Sequence, residues 1–370
     1  MNRLPIVLAA VSLAAFVGAC DKAERWHSPF EGAPGATSQT KPSGPAAPEP
    51  ITVDPARFAA FGAVPARMDD AAHPTSAAKI ALGKTLYFDT RLSKNHDLSC
   101  NSCHDVARYG VDLEKTSSGH KGQRGTRNSP TVFFAAGHFV QFWDGRAADV
   151  EAQALGPVLN PVEMAMESDK AVVEVLASMK EYEAAFKAAF PDDKKPVSFT
   201  NMGIAIGAFE RTLVTGPSKW DRFVAGDGKA LDETEKRGFN LFYETGCITC
   251  HNGPYFGGNS YRKLGDKKPW PDQTDLGRFA VTKIESDKQF FKVPSLRNVA
   301  KTGPWFHDGS VATLEDAVTK MASFQLGKEL TPADAKAIVR FLETLTGTLP
   351  TIAPPVLPKS TDKTPKPSAK

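Results

Sequence analysis

Apolar positions fall into three kinds of stretch along the 370 residues. The first is a continuous run from Leu4 to Val17 behind Arg3. It is shorter than the ~20 residues a membrane helix needs and has the form of an export signal, residues 1–20. It closes with Val17-Gly18-Ala19-Cys20. Small residues before a cysteine resemble a bacterial lipobox, in which Cys20 would carry lipid and become the N-terminus. Plain cleavage near Ala19 is the alternative. The second kind is poor in apolar residues and rich in Pro, Gly, Ser and Thr. It covers 21–51, read as a linker, and 351–370, read as a disordered tail. The third kind, from 52 to 350, carries apolar residues at helical spacing. No later run reaches about 18 apolar residues, so nothing else is expected to span a membrane.

The helical signals are local and specific. Thr331-Pro332-Ala333-Asp334 offers an N-cap, a proline at the first helical position and an acid two residues further in. It precedes apolar Ile338, Val339 and Leu342. Asp232 with Glu235 opens a helix carrying Gly238 and Phe242, and Thr313 with Asp316 opens one running towards Met321. Phe199 to Thr215 has the helical period throughout. Strand signals are few, so the fold class is mainly α.

The pattern also repeats. Gly83-Lys84-Thr85-Leu86-Tyr87-Phe88 matches Gly238-Phe239-Asn240-Leu241-Phe242-Tyr243. Arg127-Asn128 is answered by Arg297-Asn298, and Phe142-Trp143-Asp144-Gly145 by Phe306-His307-Asp308-Gly309. Landmarks in the same order predict two homologous domains, 52–215 and 216–350, meeting near Thr215-Gly216-Pro217.

Composition adds exclusions. With 41% apolar and 24% charged residues, the chain is neither disordered nor fibrous. A net charge of +3 on 45 basic and 42 acidic residues excludes the basic footprint of a nucleic-acid binder. Gly83-Lys84-Thr85 ends like a phosphate-binding loop, but Ala78 stands where glycine is required, so nucleotide binding is rejected.

Cysteine placement carries the chemistry. Cys100, Cys103 and His104, and again Cys247, Cys250 and His251, form C-x-x-C-H. This is the attachment signature of c-type haem: two thiols add to the vinyl groups and the next histidine ligates iron. A redox dithiol, or a zinc site made of both pairs, would leave each adjacent histidine unexplained. Two covalent haem c groups are therefore expected, on His104 and His251. What lies opposite each histidine decides between electron transfer and catalysis. After Cys250 the chain has one methionine, Met321, on a predicted helix. It is the candidate second ligand of the His251 haem, with His307 competing. On the first side Met164, Met166 and His120 leave the matter open; His138, amid Phe133, Phe134 and Phe139, is read as packing, and His96 is unassigned. Glu163 is a carboxylate beside Met164, able to move a proton if it lies near the iron.

These motifs, with Asn160-Pro161-Val162-Glu163-Met164, Gly277-Arg278-Phe279 and Leu296-Arg297-Asn298, resemble the bacterial di-haem cytochrome c peroxidases, of the superfamily that includes MauG. The resemblance covers roughly 75–350. It implies two tandem cytochrome c-like domains, each with one covalent haem. Electrons would enter at the His251/Met321 haem and reach the His104 haem, where hydrogen peroxide is reduced to water. It implies His120 as a removable ligand of that iron, and Glu163 as the acid–base carboxylate with Gln153 nearby. Trp143 would lie between the haems, and Asn128, Thr302 and Pro304 would hold a calcium ion. The implied donor is a small periplasmic cytochrome c or cupredoxin, and the implied assembly is often a homodimer. A MauG-like oxidase acting on a protein partner and a non-enzymatic electron carrier are the competing readings. MauG carries Tyr where Met321 stands, which favours the peroxidase.

Overall fold

The computed structural model describes residues 50–368. Cys20 and nearly all of the linker lie outside the described residues. Helices of the first half are α1 (Ala77–Phe88), α2 (Cys100–Cys103), α3 (Val150–Leu159), α4 (Asp169–Ala177), α5 (Lys180–Ala189) and α6 (Phe199–Glu210). The second half adds α7 (Lys219–Val224), α8 (Glu233–Thr245), α9 (Phe279–Thr282), α10 (Leu314–Lys320) and α11 (Pro332–Glu343). One small antiparallel pair, β1 (Tyr261–Lys263) and β2 (Phe290–Lys292), sets Tyr261 opposite Lys292. The fold is mainly α, as expected. Among the described residues no helix is long and apolar enough to cross a membrane.

The predicted caps form. Asp232 accepts from the Glu235 N–H while Glu235 reaches back to the Asp232 N–H. Thr331 caps α11 through the Asp334 N–H, and Thr313 caps α10 through the Asp316 N–H. Two ends differ from expectation. α6 stops at Glu210, short of Thr215, where β-branched Thr212, Val214 and Thr215 gather and the Leu213 carbonyl turns to the Phe134 N–H. α10 widens into a π-helical turn, Met321–Gln325.

Each half has its own core. The first gathers Leu82, Leu86, Tyr87, Phe133, Tyr182 and Phe209. The second gathers Trp220, Phe239, Phe242, Phe256 and Phe341. The repeated glycines let helices cross closely. A Cβ on Gly83 would lie 1.7 Å from the Ala205 carbonyl oxygen, so α1 meets α6 backbone to backbone. A Cβ on Gly238 would lie 1.9 Å from the Ala337 oxygen, where α8 meets α11.

Both ends of the folded body cross to the opposite half. Phe58 and Phe61, assigned by sequence to the first domain, pack in the second core, with Phe61 stacked on Phe256 at 4.4 Å. Leu349 and Ile352 pack on the first core. The sequence predicts disorder from 351 onward; residues up to 368 instead lie as a strap on the first half. Arg91 donates to the Pro358 carbonyl and Ser360 hydroxyl, and buried Thr364 meets Ser178. The Ser368 N–H donates to the Lys94 carbonyl. Proline holds such a segment extended in advance, so a few polar contacts suffice to order it.

Candidate functional site

One cavity of about 390 Å³ reaches both C-x-x-C-H motifs. Cys100, Cys103 and His104 line it from the first half, and Cys247, Cys250 and His251 from the second. The second motif begins directly after Gly246, which ends α8 in the left-handed conformation at φ 100°. Burial pushes the Cys100 and Cys247 thiols up to about 12, which disfavours thiolate chemistry. Nor do the four thiols gather as zinc ligands. Among the described residues the only such cluster is His73, Asp149 and Glu151, and Arg211 already engages both Glu151 oxygens.

The histidines suit iron. Burial pulls His251 down to about 4, so its imidazole is neutral. Its Nδ1 lies 3.1 Å from the Phe256 carbonyl, leaving Nε2 as the ligating nitrogen. His104 is likewise lowered by burial, and its buried Nδ1 has no hydrogen-bond partner. Protonated thiols, neutral imidazoles and a largely apolar cavity between them fit two covalently held haems.

Glu163 and Gln153 face the same cavity. Glu163 sits on the turn after α3, held by Asn160, whose carbonyl accepts from the Glu163 and Ala165 N–H groups. Burial raises its carboxyl above the ordinary value, while the Arg146 guanidinium and the Asn160 side chain oppose this. Met321 also lines the cavity. Leu314, Ala317, Val318 and Met321 form one continuous helical face there. The π-helical turn begins at Met321, and such turns recur at functional sites.

Trp143 and His307, at matching positions of the repeat, meet edge to face at 6.5 Å. The Trp143 indole donates to the Asn128 carbonyl at 2.9 Å. The Asn128 N–H donates to the His307 carbonyl. Asn128, Thr302 and Pro304 all border the cavity.

His120 is the expected site residue that the cavity does not gather. It is buried, yet its side chain is not part of the cavity wall. Its N–H donates to the Val162 and Glu163 carbonyls at 3.1 and 2.7 Å. Gly119 makes this approach possible, since a Cβ there would lie 1.9 Å from the Val162 oxygen. The His120 loop is thus tied by its backbone to the turn that carries Glu163.

Three features were not anticipated. Arg127 binds Asp275 with two nitrogens, at 2.7 and 2.8 Å, joining the halves. Glu210 lines the cavity, its carboxyl pushed up to about 8 by burial and then by Glu151. Lys292 is buried and is one of the residues that line the cavity. A charge inside an apolar run, Phe209-Glu210 or Phe291-Lys292-Val293, was the available signal for the last two.

Paired haem-attachment motifs on one cavity within a mainly helical fold define a di-haem c-type redox protein. The family model for di-haem cytochrome c peroxidases matches residues 77–229. A cytochrome c551 peroxidase of Pseudomonas aeruginosa is 50% identical over 300 residues, covering 80% of this chain and 86% of that one. Its counterpart in Nitrosomonas europaea is 46% identical over 316 residues, covering 84% and 94%. Among solved structures, a MauG-like protein associated with microbial copper homeostasis superposes with a TM-score of 0.68 at 28% identity, covering 77% of this chain and 93% of that one. The chain belongs to the di-haem cytochrome c peroxidase family, and is an oxidoreductase of that class.

Proposed function

We propose that the protein reduces hydrogen peroxide to water outside the cytoplasm, with electrons from a small reduced cytochrome c or cupredoxin. The balance is one peroxide, two electrons and two protons to two waters. When bound, the haems would supply the redox chemistry: His251 with Met321 would hold the one that takes up donor electrons, and His104 would hold the one at the peroxide site.

The chain's own residues supply the proton handling. The observation that carries the reading is Glu163, a carboxyl raised by burial on the wall shared with the His104 motif. A carboxyl raised in this direction takes up a proton more readily than an exposed one and can pass it between the two peroxide oxygens. Gln153 lines the same space, and its amide would orient the substrate. Arg146 keeps Glu163 able to ionise after the transfer. His120 would close the His104 site by leaving its buried seat, and its backbone ties to Val162 and Glu163 would couple that movement to the proton carrier. Trp143 packs where the halves meet and is the aromatic link between the two sites. Asn128, Thr302 and Pro304 are the proposed calcium position. A lipid on Cys20 and homodimer formation belong to the same reading.

Peroxide-dependent oxidation of a reduced small cytochrome or cupredoxin by matured protein tests this directly. A preparation carrying both haems that oxidises no such donor would refute it.

A further inference from the structure

Lys292 is 5% exposed. Its Nζ lies 3.2 Å from the Val140 carbonyl and 3.4 Å from His138 Nδ1. Among the described residues no carboxylate counters it; burial alone acts on the amine and pulls it down to about 8. Two other cavity cations differ: Arg127 has Asp144 and Asp275, and Arg146 has Asp144. A buried ammonium without a counter-charge is strongly disfavoured.

His138 has the complementary deficit. Burial holds its imidazole neutral. To accept from Lys292 at Nδ1 it must carry its proton on Nε2. That nitrogen is buried and has no partner. Both residues line the haem cavity. Two residues of the cavity lining therefore carry a cation lacking an anion and an N–H lacking an acceptor. What the cofactors bring into this space is the carboxylates of their propionate side chains.

We infer that Lys292 and His138 form the seat for a haem propionate. The seat is shared: His138 and Val140 belong to the first half, and Lys292 stands on β2 of the second. The Lys292 N–H also donates to the Trp143 carbonyl at 2.8 Å. A haem carboxylate would thus be held at the junction beside the aromatic link. The ammonium offsets the negative carboxylate near the iron and favours the reduced haem. The inference rests on the haem content proposed above and not on the peroxide reaction.

The test is a redox titration of matured protein bearing Lys292→Met and, separately, Lys292→Arg, after counting haems in each. Thioether bonds keep the haems attached in every variant. Lys292→Met should lower one of the two midpoint potentials by about tenfold in its reduction equilibrium constant, about 59 mV for one electron. Which potential moves identifies the haem whose carboxylate is bound. Lys292→Arg keeps the charge and should restore most of the shift. If methionine prevents folding, Lys292→Gln takes its place with the same expectation. Unchanged potentials would mean a neutral amine satisfied by Val140 and His138, and would overturn the seat alone. Equal shifts in the Met and Arg variants would assign the effect to packing and also overturn it. Fewer than two haems in wild type would overturn the haem reading and the seat together.

Discussion

In the first half α1 crosses α6 with Gly83 against Ala205; in the second α8 crosses α11 with Gly238 against Ala337. The helix crossing and the attachment motif that follows it are the same in both. The surfaces facing the cavity beyond them are not. The second half offers Met321 on a π-helical turn. The first offers Glu163 and Gln153, with the His120 loop bonded behind Glu163. The repeated arginines have also parted: Arg127 reaches across to Asp275, while Arg297 stays within its half on Asp221. Trp143 and His307 occupy matching positions and meet each other. On the proposed reading, one scaffold is kept for holding haem and function is set by the distal residues, the Met321 thioether filling one site and the Glu163 carboxyl serving the other.

The largest effect should come from removing the proton carrier. Glu163→Gln keeps size and hydrogen bonding but cannot ionise. Peroxide turnover at saturating donor should fall about 10²–10⁴-fold with both haems retained. Near-wild-type turnover would make the two distal sides alike. The matching change in the second half is Met321→Leu. Visible and electron paramagnetic resonance spectra should lose the low-spin His/Met signature, and that haem's potential should fall. An unaltered spectrum would hand the role to His307.

The shared scaffold can be challenged through its glycines. A methyl at Gly83 or Gly238 would be driven into a carbonyl. Each Gly→Ala change should destabilise its half by about 1–3 kcal/mol or more, measured by denaturant unfolding. If only one does, the crossings are not equivalent. A smaller effect should follow pH. Glu210 is raised to about 8 in the folded protein by burial and then by Glu151, above its unfolded value. Its contribution to stability is therefore complete at acid pH, below the unfolded value, and is lost as pH rises through about 8. The thermal midpoint of Glu210→Gln should fall less over that rise than wild type; identical profiles would show that Glu210 is not protonated in the fold.

Much of this was legible in the sequence because the signals are local. Caps such as Asp232 with Glu235, the duplicated glycines and both attachment motifs depend on spacing alone. What was missed depends on tertiary environment. The 351–370 composition shows no core of its own, yet Arg91 and Ser178 supply partners that order most of it. Phe61 lies close to the first domain in sequence but finds Phe256 in the second. Lys292 and Glu210 gain meaning only once burial strips them of water. For His120, the sequence shows Gly119 beside it but not that Gly119 serves a close backbone contact with Val162.

The central claim is that one scaffold, used twice, carries two unlike haem sites. A spectroscopic redox titration of the matured, full-length protein tests it most directly. Two well-separated transitions are predicted, the higher with the His251/Met321 signature and the lower with the His104 haem. Coincident transitions, or a higher potential at His104, would contradict the account.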